Sequence, residues 1–158
     1  MKEYLDKILQ AQVYEVAKKT PLEKAKNLSN TFNNNIYLKR EDLQDVFSFK
    51  IRGAYNKMRQ LTKQQLSNGV ITSSAGNHAQ GVALSALKLN CEATILMPIT
   101  TPLVKVNAVK NLKAKVILFG DNYDETYKEA IQISEEKKLC FIHPFDDPDV
   151  IAGQGTIA

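Results

Sequence analysis

The residues Ser48, Phe49 and Lys50 place a primary amine beside an aromatic ring at the junction between a loop and a helix. Ser48 can cap that helix, and the partial positive charge at the helix N-terminus disfavours the ammonium form of Lys50. A lysine that loses its proton readily can attack a carbonyl group and hold it as a Schiff base. We therefore predict that Lys50 is a nucleophile and that Phe49 offers a flat apolar surface to a planar ring.

The helix that begins at this lysine has an apolar stripe whose members share helical spacing with it: Lys50, Ala54, Met58 and Leu61. Because Lys50 lies at the edge of the stripe, we expect its amine to be partly desolvated. Arg52 points away from Lys50 on the same helix, so we assign it a structural role. The alternative for Lys50 is an ordinary surface lysine whose stem covers apolar neighbours, and the local sequence alone favours that alternative.

A turn of small residues forms the second candidate site, made of Ser74, Ala75, Gly76, Asn77 and His78. It follows an apolar run and precedes an alanine-rich helix, so its backbone N–H groups converge at the positive end of a helix dipole. This arrangement favours a carboxylate or a phosphate, and Ser74 and Asn77 add side-chain donors. The alternative is a simple helix cap with an Asx turn. We assign His78 no acid–base role.

Strand-like and helix-like segments alternate along the chain, which predicts an α/β fold with a parallel sheet covered by helices in three layers. Strands are expected over residues 69–72, 93–97, 116–119 and 139–142, and helices over 78–89, 102–112 and 123–138. Apolar residues at helical spacing from Leu5 to Val16 predict an N-terminal helix, and residues 36–38 predict a short strand. Three residue pairs are expected helix starts: Thr101-Pro102, Asp121-Asn122 and Asp147-Pro148.

The composition is that of an ordinary soluble globular protein. The chain has 158 residues, of which 44% are hydrophobic and 24% charged, with a net charge of +4. The lysines are scattered, no apolar run is long enough to span a membrane, and the N-terminus lacks a signal-peptide pattern, so we expect a cytoplasmic protein without a nucleic-acid or membrane partner. Cys91 and Cys140 have no metal-ligand spacing; we expect reduced, buried thiols and no metal site.

The two candidate sites together carry a family resemblance. The segments Ser48–Ala54 and Ser74–Gly81 resemble the pyridoxal-phosphate enzymes of the tryptophan synthase β-like fold (fold type II), and among these the threonine dehydratases (threonine ammonia-lyases) of biosynthetic type. The resemblance begins at Thr20-Pro21-Leu22 and continues through residues 36–44 to residues 150–156. It implies the three-layer fold of that family, here incomplete, with pyridoxal 5'-phosphate as the cofactor.

The resemblance also implies roles for individual residues. Lys50 matches the lysine that binds the cofactor as an imine and later removes the substrate α-proton. Phe49 matches the residue whose ring lies near the plane of the cofactor, and Asn77 matches the asparagine that hydrogen-bonds the cofactor's ring oxygen. The turn that grips the substrate α-carboxylate corresponds to Ser74, Ala75, Gly76, Asn77 and His78.

The implied reaction is dehydration and deamination of L-threonine to 2-oxobutanoate and ammonia, the first step of isoleucine biosynthesis. The alternatives are a serine dehydratase, a serine racemase of the same fold, or a non-catalytic α/β module that binds an anion. The racemases carry a serine where this chain has Ala75 and an asparagine where it has Phe145. Both differences favour a dehydratase, whose substrates are L-threonine and, as a second candidate, L-serine.

The resemblance places the glycine-rich phosphate loop and the serine at the pyridine nitrogen beyond residue 158. We therefore expect this chain to be an N-terminal fragment that is inactive alone and belongs to a homo-oligomer when full length. Residues 1–53 are expected to start the large cofactor domain, residues 54–145 to form a small mobile domain, and residues 146–158 to return to the large domain.

Overall fold

The computed structural model describes residues 2–158 as an alternation of helices and strands. In chain order these are α1 (Lys2–Gln10), β1 (Leu22–Lys24), α2 (Lys26–Thr31), β2 (Tyr37–Lys39), α3 (Lys50–Arg59), α4 (Lys63–Asn68), β3 (Val70–Ser73), α5 (Asn77–Lys88), β4 (Ala93–Met97), α6 (Leu103–Asn111), β5 (Lys115–Leu118), α7 (Tyr123–Lys137), β6 (Cys140–Phe141) and α8 (Pro148–Gly155). Single 3₁₀ turns lie at Val13–Glu15 and Glu41–Leu43.

A four-stranded parallel sheet in the order β5-β4-β3-β6 organises the second half of the chain. In its central register Ile71 of β3 pairs with Thr94 of β4 on one side and with Phe141 of β6 on the other. The four predicted strands are confirmed, with ends that agree to within one residue. All of β3 is buried, as expected for the centre of a sheet that helices cover on both faces.

Alternate residues of the sheet enter two separate apolar layers. Val70 and Ile95 face α3, α5 and α6, whereas Ile71 and Leu96 face α7. This alternation follows from the two-residue period of a strand. The predicted arrangement of a parallel sheet between two helical layers is therefore confirmed.

The strand order creates a reversal point between β3 and β6. The chain moves outward from β3 to β4 and β5, and then returns through α7 to place β6 on the other side of β3. In open parallel sheets of this kind, ligands bind beyond the carboxyl ends of the two strands that flank the reversal. Here those ends lead into Ser74 and Ile142, so the topology brings the turn after β3 and the loop after β6 to one edge.

The N-terminal part differs from the sequence prediction. The first helix ends at Gln10, none of its residues is buried, and the fully buried Val13 lies in a 3₁₀ turn. Val13 packs with Val46 and Ile51 in a small core, so tertiary contact overrides the helical spacing that extended the predicted helix to Val16. The expected strand at residues 36–38 is found one residue later as β2, paired antiparallel with β1.

Glycines let α3 approach its neighbours closely. A Cβ atom built on Gly153 of α8 would lie 2.5 Å from the Arg52 carbonyl oxygen and 2.7 Å from the Gly53 Cα atom. A Cβ atom on Gly81 of α5 would lie 3.1 Å from the carbonyl carbon of Lys50. Backbone therefore packs directly on backbone at both contacts, and α3 is held between α5 and α8.

A buried ion pair fixes the other side of α3. Arg52, which is fully buried, donates to both carboxylate oxygens of Glu41, at 2.7 and 2.8 Å, and to Thr156 at 3.1 Å. Burial by itself would raise the pKa of Glu41, but hydrogen bonds from Arg52 and Thr20 outweigh it and hold that pKa below its ordinary value. The structural role predicted for Arg52 is consistent with this network.

Two of the three expected helix starts have the predicted caps. Asn122 accepts a hydrogen bond from the N–H of Glu125, and Asp147 accepts from Asp149 with Pro148 in the first turn. The third helix, α6, follows Pro102 without a side-chain cap. None of the helices described is both long enough and apolar enough to cross a lipid bilayer.

The two cysteines are free thiols, as predicted, but they are only partly buried. Cys91 lies in the connection before β4, and Cys140 is the first residue of β6. Both cysteines are at the end of the sheet opposite the edge where Ser74 and Ile142 lie. Burial raises the pKa of both thiols, so neither is activated as a nucleophile. The expectation of fully buried cysteines is wrong, because each starts its strand region at the rim of the sheet.

Candidate active site

Lys50 is the first residue of α3, and its amine points toward the loop after β6. The Ser48 hydroxyl accepts a hydrogen bond from the Lys50 backbone N–H at 3.2 Å, so Ser48 supports the helix start as predicted. The Lys50 Nζ donates to the carbonyl oxygen of Pro144 at 2.7 Å. Burial lowers the pKa of this amine. Desolvation is the cause of this shift, and the predicted contribution of the helix dipole stays a prediction.

Aromatic rings flank the amine. The Phe49 ring centre lies 5.6 Å from the Lys50 Nζ, and the ring is 38% exposed. On the loop after β6, His143 and Phe145 pack edge to face with ring centres 4.7 Å apart. His143 Nδ1 accepts from the Asp146 N–H at 2.7 Å, which closes the turn that presents the Pro144 carbonyl to the lysine.

The small-residue turn after β3 leaves the N-terminus of α5 open. The Ser74 N–H donates to the Leu96 carbonyl at 3.0 Å, which anchors the turn to β4, and the Ser74 hydroxyl accepts from the Gly76 N–H at 3.2 Å. None of the side chains that the structure describes caps α5, which argues against a simple helix cap. A Cβ atom on Gly76 would meet nothing within 4 Å, which leaves the first-turn N–H groups accessible to an anion.

Asn77 and His78 begin α5 but point to different surroundings. Asn77 is exposed. His78 is 3% exposed, and its Nε2 lies 3.1 Å from the carbonyl oxygen of Ile142. The first turn of α5 thus contacts the same loop that contacts Lys50, and the two candidate sites meet through residues 142–144.

Sequence reasoning missed this loop as part of the site. Its contacts to Lys50 and His78 are made by the backbone oxygens of Pro144 and Ile142, and backbone carbonyls carry no residue-type signal. The available signal was positional: residues that follow the carboxyl end of a strand beside a reversal of strand order belong to a binding edge.

Comparison with known proteins fits this geometry. A family model described as "Pyridoxal-phosphate dependent enzyme" matches residues 13–158. The chain belongs to this family of pyridoxal-phosphate-dependent enzymes. The family's characteristic fold, the tryptophan synthase β-like fold predicted from the sequence, is thereby confirmed.

Curated relatives of high identity are named threonine dehydratases. The chain is 61% identical over 155 residues to the biosynthetic, chloroplastic threonine dehydratase of Arabidopsis thaliana, covering 98% of this chain and 26% of that protein. It is 57% identical over 159 residues to the biosynthetic L-threonine dehydratase IlvA of Burkholderia multivorans, covering 99% of this chain and 31% of that protein. The chain therefore spans about a quarter to a third of the length of these curated relatives.

A solved structure agrees with both results. The processed form of threonine deaminase isoform 2 from Solanum lycopersicum is 55% identical to this chain and superposes with a TM-score of 0.94. The match covers 98% of this chain and 43% of that structure. The resemblance to threonine dehydratases drawn from Lys50 and the Ser74–His78 turn is confirmed.

The residues of the site fit the family's cofactor. An aldehyde needs an amine that gives up its proton, which the partly buried Lys50 provides, and a planar ring needs an apolar surface, which Phe49 provides. Two buried polar atoms beside the turn, Ser73 Oγ and His78 Nδ1, have no hydrogen-bond partner in the part of the chain described. The edge therefore combines a partly buried amine, an aromatic surface and polar atoms without a partner among the described residues.

Proposed function

We propose that residues 1–158 form the lysine-bearing part of a pyridoxal-phosphate-dependent threonine dehydratase. The observation that carries the proposal is the Lys50 amine, whose pKa is lowered by burial and which contacts the loop at residues 142–144. The same loop contacts the turn of residues 74–78, the anion-accepting turn. The identity of 51–61% to named threonine dehydratases supports L-threonine as the substrate. Because the chain spans only part of those relatives, the activity is proposed for the complete polypeptide that carries these residues.

Lys50 is proposed to transfer a proton, and the other residues of the site are proposed to bind the cofactor and the substrate. When bound, pyridoxal 5'-phosphate supplies an aldehyde and an electron-withdrawing ring that stabilises negative charge at the substrate α-carbon. Lys50 would hold the cofactor through its side-chain amine and, as a neutral amine, would remove the substrate α-proton. Phe49 would offer an apolar surface to the cofactor ring, and the Asn77 amide would donate a hydrogen bond to it. The substrate carboxylate is held by the turn whose members are Ser74, Ala75, Gly76, Asn77 and His78.

The reaction balances without another reactant. Removal of the α-proton and departure of the β-hydroxyl release water from L-threonine, and the product then takes up water as it loses ammonia to give 2-oxobutanoate. Lys50 needs its amine neutral for the first step, and burial makes that form available at lower pH than for an exposed lysine. Ala75 offers no hydroxyl for proton transfer on the opposite face of the substrate, so racemisation is not the proposed outcome.

Borohydride trapping tests the covalent site. We expect reduction of the complete, cofactor-loaded protein to fix pyridoxal phosphate on the peptide that contains Lys50, as read by mass spectrometry. Lys50→Ala should abolish both this label and the formation of 2-oxobutanoate from L-threonine. The matched control is Lys88→Ala, which removes an exposed lysine from the end of α5 and should leave both unchanged. Label spread over surface lysines would instead indicate the non-catalytic module.

Product analysis separates the related enzymes. A threonine dehydratase gives 2-oxobutanoate from L-threonine, a serine dehydratase gives pyruvate from L-serine with little turnover of threonine, and a racemase gives D-serine. We expect the first outcome with L-threonine preferred. A loaded protein that is inert with both amino acids would overturn the proposal.

Further features are proposed for the complete protein. Residues 54–145 are proposed to move as a small domain relative to residues 1–53 and 146–158, and the protein is proposed to be a homo-oligomer in the cytoplasm, without nucleic-acid or membrane partners. The plant relative is named chloroplastic, so fractionation of the source cells is the direct test of location. Its place in isoleucine biosynthesis is proposed from the biosynthetic naming of its relatives.

A further inference from the structure

One backbone carbonyl accepts hydrogen bonds from two elements at the reversal point of the sheet. The Ile142 carbonyl oxygen accepts from the Thr72 hydroxyl of β3 at 2.7 Å and lies 3.1 Å from the His78 Nε2 of α5. Thr72 is fully buried and His78 nearly so. This carbonyl therefore ties together the end of β3, the first turn of α5 and the end of β6.

The contact fixes the protonation of His78. A carbonyl oxygen only accepts hydrogen bonds, so the Nε2 atom must carry the proton and donate it. In the neutral ring Nδ1 then has no proton, and no partner for it is found among residues 2–158. Burial lowers the pKa of His78 to about 4, with a smaller contribution from the nearby charge of Lys50, so the ring is neutral at physiological pH.

The same contact connects the two halves of the site. Two residues beyond Ile142, the Pro144 carbonyl accepts from the Lys50 Nζ at 2.7 Å. His78 itself follows directly on the turn of residues 74–77. A displacement of the Ile142 carbonyl would therefore change the separation between the lysine amine and the first-turn N–H groups.

We propose that the His78 imidazole is a positioning residue, whose Nε2–H holds the Ile142 carbonyl and so sets the distance between Lys50 and the anion-accepting turn. The ring acts through residues 142–144 and takes no part in proton transfer. For its role in cofactor and substrate binding, the inference rests on the proposed function. The hydrogen bond and the tautomer are properties of the fold and can be measured without cofactor.

Two substitutions of His78, whose new side chains differ in length, test the proposal in the complete polypeptide. The side-chain amide of glutamine can place an N–H near the position of Nε2, whereas that of asparagine reaches only the position of Nδ1. We expect His78→Asn to weaken pyridoxal phosphate binding about tenfold, the effect of one buried hydrogen bond, and His78→Gln to weaken it markedly less. Thr72→Val, which removes the other donor to the same carbonyl, should weaken binding in the same direction. Absorbance titration with the cofactor measures all three.

A measurement on the unsubstituted protein keeps the test independent of folding in the variants. With nitrogen-15-labelled histidine, the His78 signals should show a protonated Nε2 and an unprotonated Nδ1 from neutral pH down to about pH 5. A proton on Nδ1, a charged ring at neutral pH, or equal losses in the glutamine and asparagine variants would overturn the inference. Failure of the unsubstituted protein to bind the cofactor would refute the proposed function and leave the nitrogen-15 result standing.

Discussion

At the scale of single residues, the sequence pointed to candidate site residues but not to their partners. Lys50, Phe49 and Asn77 stand out by residue type and by their position at helix starts. The partner of Lys50 is a backbone oxygen 94 residues away, and nothing in the local sequence points to it. The Arg52–Glu41 pair was also invisible, because a buried arginine and a surface arginine look alike in a sequence.

The buried ion pair gives the first stability prediction. Glu41→Gln keeps the size of the side chain but leaves the Arg52 guanidinium buried without a carboxylate, so we expect the free energy of unfolding to fall by about 3 kcal/mol. Chemical denaturation at neutral pH measures this.

The neighbouring residue supplies the control. Asp42 is exposed and pairs with Arg40 at the surface, so Asp42→Asn makes the same chemical change one position along. We expect little change in stability, because exposed ion pairs contribute little. Equal losses in the two variants would mean that the Arg52–Glu41 contact does not stabilise the fold.

At the scale of elements, segments with a clear apolar pattern were predictable, and segments without one were not. The four parallel strands and the helices between them were found because buried apolar runs alternate with helical patterns. Strand β1 has only three residues, all exposed, and helix α2 has only six residues. Neither is long enough to show a periodic apolar pattern. The six-residue α4 did carry a signal, since Thr62 and Gln65 form a capping box.

The contact between α3 and α8 gives a prediction for two glycines of one helix. A Cβ atom at Gly153 would meet the backbone of Arg52 and Gly53, which cannot move aside, so Gly153→Ala should destabilise the protein by about 2 kcal/mol. At Gly155 the nearest atom, at 2.5 Å, is the terminal methyl of Ile8, which can rotate away.

We therefore expect Gly155→Ala to change stability little, because a small gain in helix propensity offsets the adjustment of Ile8. Thermal unfolding compares the two variants. Similar losses in both would show that helix packing at Gly153 does not depend on the missing side chain.

At the scale of the whole molecule, the site is assembled by topology. The reversal of strand order beside β3 brings the turn at residues 74–78 and the loop at residues 142–144 to one edge, and α3 delivers Lys50 to it. The alternation of strands and helices predicted the parallel sheet but not this edge. Which strand returns beside β3 depends on packing between distant segments, and the sequence pattern does not encode that order.

The fold as a whole should lose stability in acid. The pKa of His78 is lowered from 6.5 to about 4, so the unfolded chain takes up a proton in this interval and the folded chain does not. Stability is then fully present above pH 6.5 and falls as the pH drops toward 4, by on the order of 3 kcal/mol from this group.

Urea denaturation between pH 7 and pH 4 checks this expectation. His78→Gln removes the titrating ring, so its stability should depend less on pH across this interval than that of the unsubstituted protein. A pH dependence identical in both proteins would assign the effect to other groups.

The close packing of α8 against α3 also bears on how the protein folds during synthesis. Asn56 and Asp149, which join the two helices through a hydrogen bond, are 93 residues apart. A ribosome has therefore already released α3 and most of the sheet before α8 emerges. During that interval α3, which begins with Lys50, lacks one of the two helices that hold it, so stable cofactor binding is expected only once synthesis has passed α8.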